Sequence, residues 1–184
     1  MTTQTEHLPV TGNDFFTRKP GGLIQKGNLM LHTKVGMGYG RELLHIAERL
    51  RTLWQAAKDN NPYADLYLLQ LEDTMLTARH ELKRCEKQYQ QQLMQYPDIQ
   101  LELVTSQNPL VMQLYFLNIY SFRTAILIGH FDRLARYALS LQNLTFDNTV
   151  SLSQILQELG SPLRKLLEIP KQWQLFKVTR EDIQ

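Results

Sequence analysis

The stretch Gln25-Lys-Gly-Asn-Leu-Met-Leu-His-Thr-Lys-Val35 decides how the chain is read. Successive side chains of a strand point to opposite faces, so Leu29, Leu31, Thr33 and Val35 fall on one side and Lys26, Asn28, Met30, His32 and Lys34 on the other. This alternation predicts a strand over about 23–35. Almost everything after it has the spacing of helices. A single strand with a basic, hydrogen-bonding face therefore needs a partner for its backbone and a use for its polar side.

The strand is followed by Gly36-Met-Gly-Tyr-Gly40 and then by apolar positions Leu43, Ile46, Ala47, Leu50, Leu53, Trp54 and Ala57, three and four residues apart. The spacing predicts a helix over about 40–58, with the glycines as a flexible connection ahead of it. Asn61-Pro62 then opens a second helix over about 62–95, since Asn caps well and Pro suits the first helical position. Its seam of Leu68, Leu71, Met75, Ala78, Leu82, Cys85 and Tyr89 is heptad-like and implies a rod of roughly 50 Å. That spacing suits packing within the chain and dimerisation equally.

Beyond Pro97 the chain offers a second strand candidate at Ile99–Val104. A mainly apolar helix is expected from Leu110, after Asn108-Pro109, to about Leu141. A shorter helix opens at Ser151 and is ended by Gly160, and another runs from Ser161-Pro162 to Pro170. The expected organisation is a flexible arm over 1–22, a strand-helix-helix unit over 23–96 and a helical extension over 97–184. The fold class is mainly α with a short β ribbon.

Composition narrows the function. The 184 residues, 43% of them hydrophobic, suffice for one core. The single cysteine, Cys85, excludes an intramolecular disulfide framework and fits a reducing cytoplasm. The N-terminus lacks the basic start and apolar run of a signal peptide. The most apolar region, Leu110 to Ile128, is broken by Gln113, Asn118, Ser121 and Arg123, as in a buried helix rather than a membrane span. A cytoplasmic, nucleoid-associated protein is expected.

No enzyme signature survives inspection. Gly36-x-Gly38-x-Gly40 places its third glycine one position short of a dinucleotide fingerprint, and Arg41 stands where that glycine belongs. His7, His32, His45, His80 and His130 form no helical metal pair. His130-Phe-Asp132 and His80-Glu81 are too close in sequence to face each other on a helix. Neither a nucleophile elbow nor a pair of catalytic carboxylates is present. No cofactor, metal or catalysis is expected.

Charge is more telling in its distribution than in its sum of +2. Arg18, Lys19, Lys26, Lys34 and Arg41 stand between Phe15 and Arg41 with no acidic residue among them. A strand of this kind paired with its twin from a second chain makes a two-stranded antiparallel ribbon, which fits a DNA major groove. On that reading Lys26, Asn28, Met30 and His32 face the bases, while Lys34, Arg41 and the helix opening at Asn61 hold phosphates. Leu29, Leu31, Leu43, Ile46, Leu50 and Trp54 then form the core and dimer packing. Arg123, Arg133 and Arg136 are a second basic group, read first as a solvated or salt-bridged helix side. The competing arrangement pairs the strand internally with Ile99–Val104, in a non-enzymatic helical scaffold or adaptor of a mobile genetic element. Glu102 would then lie beside the basic face and repel phosphate.

Leu29-Met-Leu-His-Thr33, Asn61-Pro-Tyr-Ala-Asp65 with Leu68-Leu69-x-Leu-Glu72, and Val178-Thr-Arg-Glu-Asp-Ile183 resemble the AcaB-like family of transcriptional regulators from conjugative plasmids and integrating conjugative elements. The resemblance runs from about Leu23 onward. It implies a ribbon-helix-helix fold, a homodimer, binding to promoter DNA, activation of conjugative transfer genes and contact with the transcription machinery.

Overall fold

The computed structural model describes residues 16–18, 25–95, 102–116, 118–145, 152–174 and 181. The expected strand is β2, Gln25–Leu31; the predicted start at 23–24 lies outside the described residues. It is the middle of a three-stranded antiparallel sheet, between β1, Phe16–Arg18, and β3, Leu110–Phe116. The expected arm over 1–22 thus contributes a strand, and its other residues lie outside the described ones. Phe16 stands opposite Gly27 and Arg18 opposite Gln25. On the other edge Gln25 meets Phe116 and Leu31 meets Leu110. The backbone of β2 is satisfied along one whole edge by its own chain, which leaves no place there for a twin strand.

β3 corrects two expectations. The strand paired with β2 is not Ile99–Val104, of which residues 102–104 are described and are not a strand. It comes from the run read as the first turns of a long helix. Met112 and Leu114 are buried while Val111, Gln113 and Tyr115 are exposed, a period of two concealed by apolar residues on the outer face. The following helix, α3, spans Ile119–Thr145, and Asn118 caps it by accepting a hydrogen bond from Ser121 N at 2.8 Å.

The first helix, α1, spans Lys34–Lys58 and starts well before the expected position near 40. Gly36, Gly38 and Gly40 lie inside its first turns and are no flexible connection. Thr33 is the cap: its hydroxyl accepts from Gly36 N at 3.0 Å. From α3, Asp132 reaches the same corner and accepts from His32 N at 3.0 Å, Thr33 N at 2.8 Å and Thr33 Oγ1 at 2.6 Å. This aspartate is only 2% exposed. Two of the glycines make room for the packing. A Cβ on Gly36 would lie 2.3 Å from Asp132 Oδ1, and one on Gly40 would lie 2.5 Å from Leu31 Cδ1.

At the far end of α1, Asn60 takes a left-handed φ of 62°, and Asn60 N and Asn61 N donate back to the carbonyls of Ala57 and Ala56. Asn61 caps α2, Pro62–Leu93, by accepting from Tyr63 N and Ala64 N. The α2 seam, Leu68, Leu71, Met75, Ala78 and Leu82, is buried within the chain, packed among α1, α3 and α4. The fourth helix, α4, spans Leu152–Gln172 with Pro162 inside it, so Gly160 does not end a helix. Gly160 instead receives α1: Tyr39 Oη donates to its carbonyl at 3.2 Å. One apolar cluster runs from Leu29 to Trp173 and joins all four helices to the inner sheet face.

Removing the Asp132 carboxylate strands two backbone donors and a hydroxyl. Asp132→Ala is expected to cost about 3 kcal/mol or more, a fall of about 6–12 °C in the thermal midpoint followed by circular dichroism. Asp132→Asn should fall between the wild type and Asp132→Ala. A Cβ on Gly38 would meet no atom within 4 Å, so Gly38→Ala should raise the midpoint slightly, by up to about 1 kcal/mol in stability. Gly40→Val should lower it, because the branched side chain would collide with Leu31 and Met112.

Candidate nucleic-acid interface

The outer sheet face consists of paired positions. Asn28 stands opposite Gln113, Met30 opposite Val111 and Lys26 opposite Tyr115. Asn28 and Gln113 are exposed, and Met30, Val111 and Tyr115 are 47%, 52% and 60% exposed. Their sequence neighbours Gly27, Leu29, Met112 and Leu114 are buried. Among the described residues, helices cover the inner face and none packs on the outer one. None of these outward positions is acidic.

The predicted site residues do not all share this surface. Lys26, Asn28 and Met30 occupy alternate positions along β2. His32 follows the strand and is half-buried, with Nδ1 accepting from Ser106 N at 3.3 Å. Burial, and next the Arg136 guanidinium, hold its pKa below the ordinary value against the opposing pull of Asp132. A neutral ring using Nδ1 in this way carries its proton on Nε2, leaving that atom as the donor it presents. Lys34 and Arg41 are exposed, two turns apart on one side of α1. A lysine in the first turn opposes the helix dipole, and that turn holds no acid to offset it.

Asn61 is elsewhere. It is 5% exposed, its side-chain oxygen is engaged by its own helix, and the length of α1 separates it from β2 by about 36 Å. Leu29, Leu31, Leu43, Ile46 and Leu50 are buried in the core of the single chain, with Trp54 packed against it. Trp54 makes an edge contact with Tyr120, ring centroids 5.6 Å apart.

Two members of the second basic group are used internally, whereas Arg123 is exposed on α3. Arg133 pairs with Glu86 at 2.7 Å, and His130 shares the same carboxylate at 3.1 Å. Burial outweighs that carboxylate and holds the His130 pKa below its ordinary value. Arg136 donates from Nε to Val104 O at 2.7 Å, and Ser140 Oγ accepts from Val104 N at 2.9 Å. These bonds fasten residues 102–106 to α3, so Glu102 is not paired beside β2. Val111, Gln113 and Tyr115 escape a reading of the sequence because their apolar segment continues into that of α3. The alternation of Gln113 and Tyr115 with Met112 and Leu114 is the signal that could find them. Among the described residues no group of His, Cys, Asp and Glu is arranged to hold a metal, and no helix is long and apolar enough to cross a membrane.

Comparison with known proteins gives both a family and a fold. A family model described as transcriptional regulator AcaB matches residues 19–184. The crystal structure of selenomethionine-containing AcaB from uropathogenic E. coli is similar in fold, with a TM-score of 0.67 and 15% identity over 80% of this chain and 79% of that one. No curated protein matches. With the family match covering most of its length, the chain belongs to the AcaB family of transcriptional regulators, whose role is regulatory rather than enzymatic.

Proposed function

We propose that the protein is a homodimeric, sequence-specific DNA-binding activator of conjugative transfer genes on a plasmid or integrating conjugative element. The outer face of β2 and β3 is its reading surface. The observation that carries this reading is the acid-free pair of strands with Asn28 and Gln113 side by side at its centre. A two-stranded antiparallel ribbon fits the major groove, and each of these amides can bond an adenine edge through two atoms. Met30 and Val111 suit thymine methyl groups. Tyr115 and the Nε2 of His32 lie toward opposite ends of the ribbon. Lys34 and Arg41 take phosphates beside it. The ribbon is formed within one chain, since β3 pairs with β2 along its full length. DNA contact thus requires no strand exchange between copies, and the dimer contact lies away from β2. Recruitment of the transcription machinery would use surfaces that the bound ribbon leaves exposed.

Fluorescence anisotropy on promoter DNA of the element, over a salt series, tests the reading. Affinity should fall steeply with salt as phosphate neutralisation releases counterions. Asn28→Ala and Gln113→Ala should each reduce discrimination between specific and random DNA by about 1–3 kcal/mol for each copy of the dimer. Lys34→Ala should weaken both DNAs alike and lower the salt slope by about two, one for each copy of the dimer. Absence of binding at low salt, or undiminished discrimination in the Asn28→Ala/Gln113→Ala double variant, would overturn it.

A further inference from the structure

The outward side of α2 is apolar where solvent should favour polar residues. Leu66, Leu69 and Leu76 are 52%, 63% and 55% exposed. Leu69 and Leu76 are nearly in line, since seven residues make close to two turns. The core seam of the same helix uses other positions, so these leucines contribute little to the fold of the single chain.

Charge on α2 changes sign halfway. Pro62–Ala78 contains Asp65, Glu72 and Asp73 and no basic residue, whereas Arg79–Lys87 contains Arg79, Lys83, Arg84 and Lys87 with Glu81 and Glu86. Both acids of the second half are engaged within the chain, Glu81 with Arg84 and Glu86 with Arg133 and His130. The helix dipole favours such an ordering only in the first and last turns. Asp73 and Arg79 stand in the middle, and neither enters an ion pair among the described residues.

We infer that this side of α2 is the interface with a second copy of the chain, the two helices packing antiparallel about a two-fold axis near Leu76. A two-fold contact uses the same patch on both copies. Antiparallel packing sets Leu76 against its own mate and brings the acidic half carrying Asp73 against the basic half carrying Arg79, Lys83 and Lys87, twice over. Parallel packing would set acid against acid and base against base, which is unfavourable. The proposed function calls for a dimer without locating it, and on that point alone the inference rests on it.

Sedimentation velocity of the full chain measures assembly without DNA. The wild type should sediment as a dimer of 21.5 kDa chains at micromolar concentration. Leu76→Asp should raise the dissociation constant at least about a hundredfold, because each copy loses a buried leucine. Its thermal midpoint at concentrations where both proteins are monomeric should not change. Asp73→Arg and Arg79→Asp should each weaken the dimer about tenfold, and the double exchange should restore it. In a Cys85→Ser background, Leu76→Cys should form a disulfide-linked dimer with diamide, whereas Leu44→Cys, at a position 53% exposed on α1, should not. A wild-type monomer, or a dimer indifferent to Leu76→Asp, overturns the interface. DNA binding through the sheet would stand or fall on the anisotropy measurements regardless.

Discussion

The Asp132 carboxylate is the constraint on which the rest of the arrangement depends. It accepts three hydrogen bonds at the corner where β2 ends and α1 begins. Two of the donors are backbone amides that neither strand nor helix can satisfy, and the third belongs to the Thr33 cap. One side chain from α3 therefore fixes where the strand stops and in which direction the helix leaves. Gly36 and Gly40 are the complement of that bond set, since any larger residue would hold α1 away from Asp132 and from the inner sheet face. Three residues that weaken a helix by intrinsic preference are tolerated in its first turns because two of them allow this approach.

Much of the architecture can be read from the chain alone. The alternation around Leu29 and Leu31, the Asn61-Pro62 helix start and the buried seam of α2 follow from local rules, and tertiary packing agrees with them. The failures have two causes. At Gly36–Gly40 composition argues for a loop, but a distant carboxylate and a methionine on β3 supply reasons for glycine within a helix. At Leu110–Phe116 the outer positions Val111 and Tyr115 are themselves apolar, so the period of two is masked. Gly160-Ser-Pro162 has the composition of a break, yet Tyr39 approaches its backbone from α1. At the two glycine segments a residue answers to a partner remote in sequence, and at Leu110–Phe116 the apolar outer face hides the strand.

The same distinction applies to the candidate interface. Asn28, Met30 and Lys34 can be singled out because β2 announces itself. Half of the outer face comes from β3 and is not recognisable until that strand is placed. Arg133 and Arg136 look available for an anionic partner, but Glu86 and the Val104 carbonyl engage them. Charge in sequence is therefore a poor guide to charge at the surface. Membership of the AcaB family makes the chain a transcriptional regulator, and the likeness to the solved structure concerns the fold.

The order of strands carries a consequence for synthesis. β2 emerges early, but the strand that pairs along its full length follows both α1 and α2, and Asp132 follows later still. Closing so long a loop precedes the reward of the pairing, so the sheet belongs to the late, non-local part of folding. A nascent chain that has completed only its first two helices holds neither the β2–β3 pair nor its anchored corner. The outer face of β2 and β3 thus comes into being only when most of the protein has been made, so an unfinished copy would not present it.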